Sequence, residues 1–148
     1  MITGTIREIL QQKGKQTWTI NPDATVYDAI KLLAEKNVGA LPVLDGGKLV
    51  GILSERDYTR KVMLMGRSSK ETLVREIISS PVISVTPGHT VDECMRLMTH
   101  HRVRHLPVLD GETMVGIVSI GDLVNWIITM QKMTIHQLEN YISGQYPG

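Results

Sequence analysis

Apolar positions recur at helical spacing twice along the chain. Val26, Ile30 and Leu33 make one stripe, and Val91, Met95 and Met98 make the other. Each stripe follows a threonine with an acid three residues on, Thr25 with Asp28 and Thr90 with Glu93. That is the spacing at which a side chain and a helix N-terminus cap each other. A β-rich run comes next, Val38–Leu44 or Val103–Leu109, and then an Asp-Gly pair. A second apolar run follows, Leu49–Leu53 or Met114–Val118. Asp-Gly between two apolar runs predicts a tight hairpin. A further helix is expected after Ser54 and after Ser119. Short strands at Trp18–Ile20 and Val82–Val85 complete the order β-α-β-β-α in each half.

The halves are copies of each other. Residues 22–58 align without a gap onto residues 87–123, and sixteen of the thirty-seven positions are identical. Leu41-Pro42-Val43-Leu44-Asp45-Gly46 repeats as Leu106-Pro107-Val108-Leu109-Asp110-Gly111, and Ser54 and Asp57 repeat as Ser119 and Asp122. Such a repeat predicts one supersecondary unit used twice about a pseudo-two-fold axis, and so two equivalent clefts. The fold class is α+β: two pseudo-symmetric β-α-β-β-α repeats, each a small sheet with helices on one side, packed into one module. A copy of roughly 60 residues is marginal alone, so the two are expected to share one core. The division expected is 5–65 for the first copy with its lead-in helix, 66–72 for a linker, 73–130 for the second copy and 131–148 for a helical extension.

Two features break the repeat. Thr5–Leu10 resembles Leu73–Ile78, but at a displacement of 68 residues where the rest of the repeat keeps 65. The first copy therefore carries three extra residues within Gln11–Thr17, a stretch that holds Lys13, Gly14 and Lys15 and predicts a basic surface loop. At the other end, Thr134 is expected to cap a last helix, Thr134–Ile142. Its stripe of Ile135, Leu138 and Ile142 has no counterpart in the first copy, and covers either the chain's own core or a partner.

Composition narrows the class. Net charge is +1, which speaks against a dedicated nucleic-acid binder. Aromatics are few and phenylalanine is absent. That also weighs against single-stranded nucleic acid stacking near Lys13, Lys15, Arg102 and Arg104. Cys94 is the one cysteine; it aligns with Ala29 on a helix and is expected to fill the core. No run of about 20 apolar residues and no leader pattern is present, so a cytoplasmic protein without a membrane span is expected.

Catalytic signatures are missing: no nucleophile elbow, phosphate loop, zinc spacing or Cys–His pair, so an enzyme is not expected. His101 and His105 have i, i+4 spacing, but the chain there is turning into a strand, and no metal site is expected. With His100, Arg102 and Arg104 they form a basic cluster suited to an anion. Ser54-Glu55-Arg56-Asp57 and Ser119-Ile120-Gly121-Asp122 each lie where a strand meets a helix. Either these are capping pairs, or the serine donates to a phosphate and the aspartate accepts from a vicinal diol such as ribose. From the residues alone both readings stand.

The order of helix, Leu-Pro-Val-Leu-Asp-Gly and Val-Gly-Ile-x-Ser-x-x-Asp, twice over, resembles a tandem of CBS domains (named for cystathionine β-synthase), the Bateman module. The likeness covers about residues 5–130. It implies a regulatory module that binds an adenosine-containing ligand: AMP first, then ADP, ATP or NAD(H), and S-adenosylmethionine less. It also implies a homodimer. Carried over residue by residue, it assigns Asp122, Ser119, Arg104, His105 and Pro107 to the second cleft, facing Lys15, Gln16 and Thr17. The first cleft receives Asp57, Ser54, Arg56, Val38, Gly39, Ala40 and Pro42, facing Ser80, Pro81, Val82 and Ile83. The second cleft is then expected to be the more basic of the two. The rival reading is a structural or protein-interaction module without a nucleotide.

Overall fold

The structure, a computed structural model, describes residues 4–14, 16–78 and 81–142. Its elements are α1 (Ile6–Lys13), α2 (Val26–Lys36), β1 (Ala40–Asp45), β2 (Lys48–Ser54), α3 (Glu55–Tyr58), α4 (Val91–His101), β3 (His105–Asp110), β4 (Thr113–Ser119) and α5 (Ile120–Ile142). The caps read from sequence form. Thr25 Oγ1 accepts from the Asp28 amide at 3.1 Å. Thr90 and Glu93 make the reciprocal pair, at 3.1 and 2.9 Å. Both helices end in the left-handed conformation, at Asn37 (φ 54°) and Arg102 (φ 55°). Asparagine takes that conformation readily, whereas an arginine there costs about 1–2 kcal/mol.

Each copy has a two-stranded antiparallel hairpin, with Ala40 opposite Ser54 in one and His105 opposite Ser119 in the other. The turn sits one residue later than Asp-Gly implies. Asp45 and Lys48 are the last pair, and the loop is Gly46-Gly47, both at positive φ (57° and 84°). The expected strands Trp18–Ile20 and Val82–Val85 contract to single parallel bridges, Ile20 to Val43 and Val85 to Val108. The Ile20 amide donates to Pro42 O at 3.1 Å and the Leu44 amide donates to Ile20 O at 3.0 Å. Continuing that ladder backward would need an N–H at Pro42, and at Pro107 in the second copy, and proline has none.

The buried residues form two clusters rather than one shared core. Val26, Ala29, Leu33, Leu41, Val43, Leu53 and Val62 fill the first together with Val74 and Ile77. Val85, Val91, Cys94, Met98, Leu106, Val108, Val118, Leu123 and Trp126 fill the second together with Ile6 and Ile9. The lead-in segments are therefore exchanged. The helix that begins the chain completes the second copy, and the short 3-10 turn Val74–Glu76 completes the first. Backbone bonds fix both exchanges: the Ile6 amide donates to His89 O and the Val74 amide to Ala24 O, each at 2.9 Å. Burial holds Cys94 as a neutral thiol, its pKa pushed up to about 12, with the Glu93 charge adding to the rise.

The copies diverge after the Ser-x-x-Asp pairs. In the first, α3 passes into a π-helical turn, Thr59–Met63, and the chain turns away at Gly66 (φ 68°). Position 131 of the second copy is Gln131 instead, and α5 runs unbroken for 23 residues. Thr134 thus caps nothing: it lies within the helix and its hydroxyl donates back to Met130 O at 3.0 Å. No described helix is long and apolar enough to cross a membrane.

Candidate functional site

Both Ser-x-x-Asp pairs form capping boxes. Asp57 Oδ2 accepts from the Ser54 amide and from Ser54 Oγ, each at 3.0 Å, and Ser54 Oγ accepts from the Asp57 amide at 3.1 Å. Asp122 Oδ2 accepts from the Ser119 amide at 2.8 Å, and Ser119 Oγ accepts from the Asp122 amide at 3.1 Å. The capping role does not hide the first pair, because Ser54 and Asp57 both line an open cleft between the two copies.

That cleft has a volume of about 960 Å³, in the range of small-molecule sites. One wall is Gly39, Ile52 and the run Ser54–Asp57 with Arg60 and Lys61; the other is Pro81–Ile83 with His101–His105. Five arginine and lysine side chains, Arg56, Arg60, Lys61, Arg102 and Arg104, face two carboxylates, Glu55 and Asp57. Ile52, Val82, Ile83 and Val103 give it an apolar strip. Arg56 spans the cleft, its Nη1 donating to Arg102 O at 3.1 Å. Lys61, one helical turn after Asp57, has Nζ 3.4 Å from Asp57 Oδ1 and donates to Ile77 O at 2.9 Å.

The counterpart cleft is built differently. Lys13 Nζ lies 2.8 Å from Asp122 Oδ2 and donates also to Ile117 O at 2.9 Å. His105 stands between the two sites. Its ring packs on Gly39, where an added Cβ would come within 3.1 Å of Nε2. Burial pushes the imidazole below its usual pKa; the Lys13 charge lowers it further, Asp122 opposes that, and Arg104 adds a small lowering. Burial and the Lys13 charge thus favour the neutral imidazole against the pull of Asp122.

Placement follows the sequence assignment in part. Gly39, Ser54, Arg56, Asp57, Pro81, Val82 and Ile83 meet at one cleft. Val38, Ala40 and Pro42 do not line it: Ala40 and Pro42 are buried, and Val38 packs on the first core. Pro107 is likewise buried, its carbonyl accepting from the Val85 amide at 3.0 Å. Arg104 and His105, assigned to the second cleft, line the first. Lys15 and Ser80 lie outside the described residues; Gln16 is exposed and Thr17 half-buried. The expected loop over Gln11–Thr17 is helix as far as Lys13, and Lys13 reaches Asp122 and Ile117 O. Arg60, Lys61 and the role of Lys13 were not anticipated. For Lys61 the signal was available, since it stands four residues after Asp57 on the same helical face. Among the described residues no group of three or more His, Cys, Asp or Glu is arranged to hold a metal ion.

Comparison with known proteins matches the same two units. A family model described as the CBS domain fits residues 6–64 and 74–129. A solved CBS-domain protein from Burkholderia ambifaria superposes with a TM-score of 0.82 at 52% identity, over 85% of this chain and 95% of that one. A mitochondrial CBS-domain protein of Arabidopsis thaliana is 42% identical over 151 residues, 96% of this chain and 73% of its own length. The CBS pair of protein MJ0100, solved with 5'-methylthioadenosine and S-adenosyl-L-methionine, has a TM-score of 0.74 at 27% identity, over 83% of this chain and 94% of that one.

Proposed function

The chain belongs to the CBS-domain family, with one domain in each half, and from that premise we propose that it is a regulatory module binding an adenine nucleotide in the cleft between the two copies. One observation carries the reading. The cleft of about 960 Å³ draws its walls from both copies and sets five arginine and lysine side chains against two carboxylates. Such a field suits a phosphate chain through charge-assisted hydrogen bonds. The relative MJ0100 is solved with two adenosine-containing ligands, which supports the nucleoside half of the reading. The cationic lining favours the phosphate half: AMP, ADP, ATP or NAD(H) over S-adenosylmethionine, whose sulfonium is itself positive.

In this reading Asp57 accepts from the ribose hydroxyls and Ser54 lies beside them. The apolar strip of Ile52, Val82, Ile83 and Val103 takes the adenine faces in place of aromatics. Arg56, Arg60, Arg102 and Arg104 meet the phosphates. A bound nucleotide ties one copy to the other, and shifts their arrangement by as much as it binds one arrangement better than another. The module regulates rather than catalyses, and acts in the cytoplasm, where one buried cysteine needs no oxidising partner. It pairs into a homodimer through the apolar residues that α5 leaves exposed.

The test is thermal unfolding with AMP, ADP, ATP, NAD and S-adenosylmethionine in turn. A ligand at 100 times its Kd stabilises by about 2.7 kcal/mol. The phosphate-bearing ligands are expected to raise Tm and S-adenosylmethionine to raise it less. No rise with any of the five at millimolar concentration rejects the reading in favour of a structural module.

A further inference from the structure

The two clefts share their Ser-x-x-Asp pairs but not their occupancy. In the first, Asp57 and Ile52 line the open cleft, and Lys61 Nζ stands off at 3.4 Å from Asp57 Oδ1 while donating to Ile77 O. In the second, one ammonium group meets the equivalents of both: Lys13 Nζ is 2.8 Å from Asp122 Oδ2 and 2.9 Å from Ile117 O. Counted from the matched residues Leu10 and Ile78, Lys13 corresponds to Pro81, which lines the open cleft and carries no charge. The lysine cannot drift far. It ends α1, whose Ile6 and Ile9 are buried in the second core, and Leu10 fills the notch left by Gly116. α1 thus runs on to the residue that delivers this ammonium group, where the other lead-in segment is only the 3-10 turn Val74–Glu76.

We propose that Lys13 is a latch that holds the second cleft against adenosine-bearing ligands, so that the first cleft fills before it. The proposal rests on the nucleotide reading above. Asp122 Oδ2 already accepts the Ser119 amide and the Lys13 ammonium, so a ribose diol that takes this oxygen displaces the latter. The pair is partly exposed, 35% for Lys13 and 22% for Asp122, and an ion pair of that kind yields to competition. The latch therefore lowers affinity without abolishing it. Breaking one charge-assisted hydrogen bond corresponds to about tenfold or more.

The experiment is calorimetric titration of the full chain with ADP. Wild type is expected to bind one ADP per chain, lost in Asp57→Asn. Lys13→Met is expected to bind a second, with that site tightened by about tenfold or more. Asp122→Asn added to Lys13→Met removes the second site and leaves the first. Lys13→Gln, which also lacks the positive charge, serves as the second variant. One ADP bound by wild type and no second site in either Lys13 variant overturns the latch alone, as does a wild type that fills both clefts equally. No binding in any chain overturns the nucleotide reading, and the latch with it.

Discussion

Single positions show why the copies agree where they do. Gly51 and Gly116, identical across the repeat, are where the exchanged segments press on the hairpins. A Cβ at Gly51 would stand 2.6 Å from Ile78 Cδ1 and 3.0 Å from its Cβ; at Gly116 it would stand 2.8 Å from Leu10 Cδ2. The first clash reaches the root of a side chain and the second only its tip. Gly51→Ala is therefore expected to cost about 1–3 kcal/mol and Gly116→Ala less, read from urea midpoints. The same positions mark what the sequence could and could not convey. The repeated glycine was plain, but the residue it makes room for comes from the other copy's lead-in segment, and no spacing within one copy points there. His105 allows a test with a sign. Burial and Lys13 favour its neutral form, so the unfolded chain takes up a proton that the folded chain resists. Stability from this source is whole above about pH 6.5, falls as pH drops below it, and levels once pH passes under the folded pKa. His105→Gln should flatten that fall in the urea midpoint. An unchanged slope would assign the acid sensitivity elsewhere.

Among elements, hairpins and capped helices were legible because their signals are local: Thr25 with Asp28, Thr90 with Glu93, and glycines at the turns. The outer strands were not, because proline at 42 and 107 removes the donor that a longer ladder needs, and that cost appears only once the neighbour is known. α5 was misread for a similar reason. Thr134 has the type and spacing of a cap, but the breaker that ends the equivalent helix, Gly66, is Gln131 in the second copy. The result is a helix of 23 residues, about 34 Å long. Val124, Ile128, Ile135, Leu138 and Ile142 on it are 41–83% exposed and follow a four-three alternation with Gln131, the spacing of a coiled-coil seam. The last twelve residues hold no buried side chain, and a helix of that length is marginal without a partner. Ile135→Glu is expected to shift the chain from dimer to monomer in size-exclusion light scattering. A wild type that is monomeric at every concentration would contradict the pairing.

On the scale of the molecule, the exchange of lead-in segments makes two small cores into one body. Each copy is completed by residues that precede the other, so covalent connection as well as packing joins the two across the cleft. The pseudo-symmetry that the repeat announced holds for the capped helices and hairpins and fails for charge. Arg102 and Arg104 join Arg56, Arg60 and Lys61 at the first cleft, while Lys13 closes on Asp122 at the second. Comparison of the copies by sequence shows Arg104-His105 against Gly39-Ala40 and assigns the pair to the second cleft, whereas both residues line the first; the contact of Lys13 with Asp122 has no signal in the repeat. At the start of β3 the His105 ring packs on Gly39 of the other copy, a contact that no spacing within one copy reveals. In the function proposed, the first cleft holds an adenine nucleotide through Asp57 and the surrounding arginines. The most direct measurement is calorimetric titration of ATP into wild type and into Asp57→Asn. Saturable binding in wild type that is lost in Asp57→Asn, with the urea midpoint of the variant retained, is the result predicted. Equal binding by both chains, or no heat from either at millimolar ATP, would contradict it.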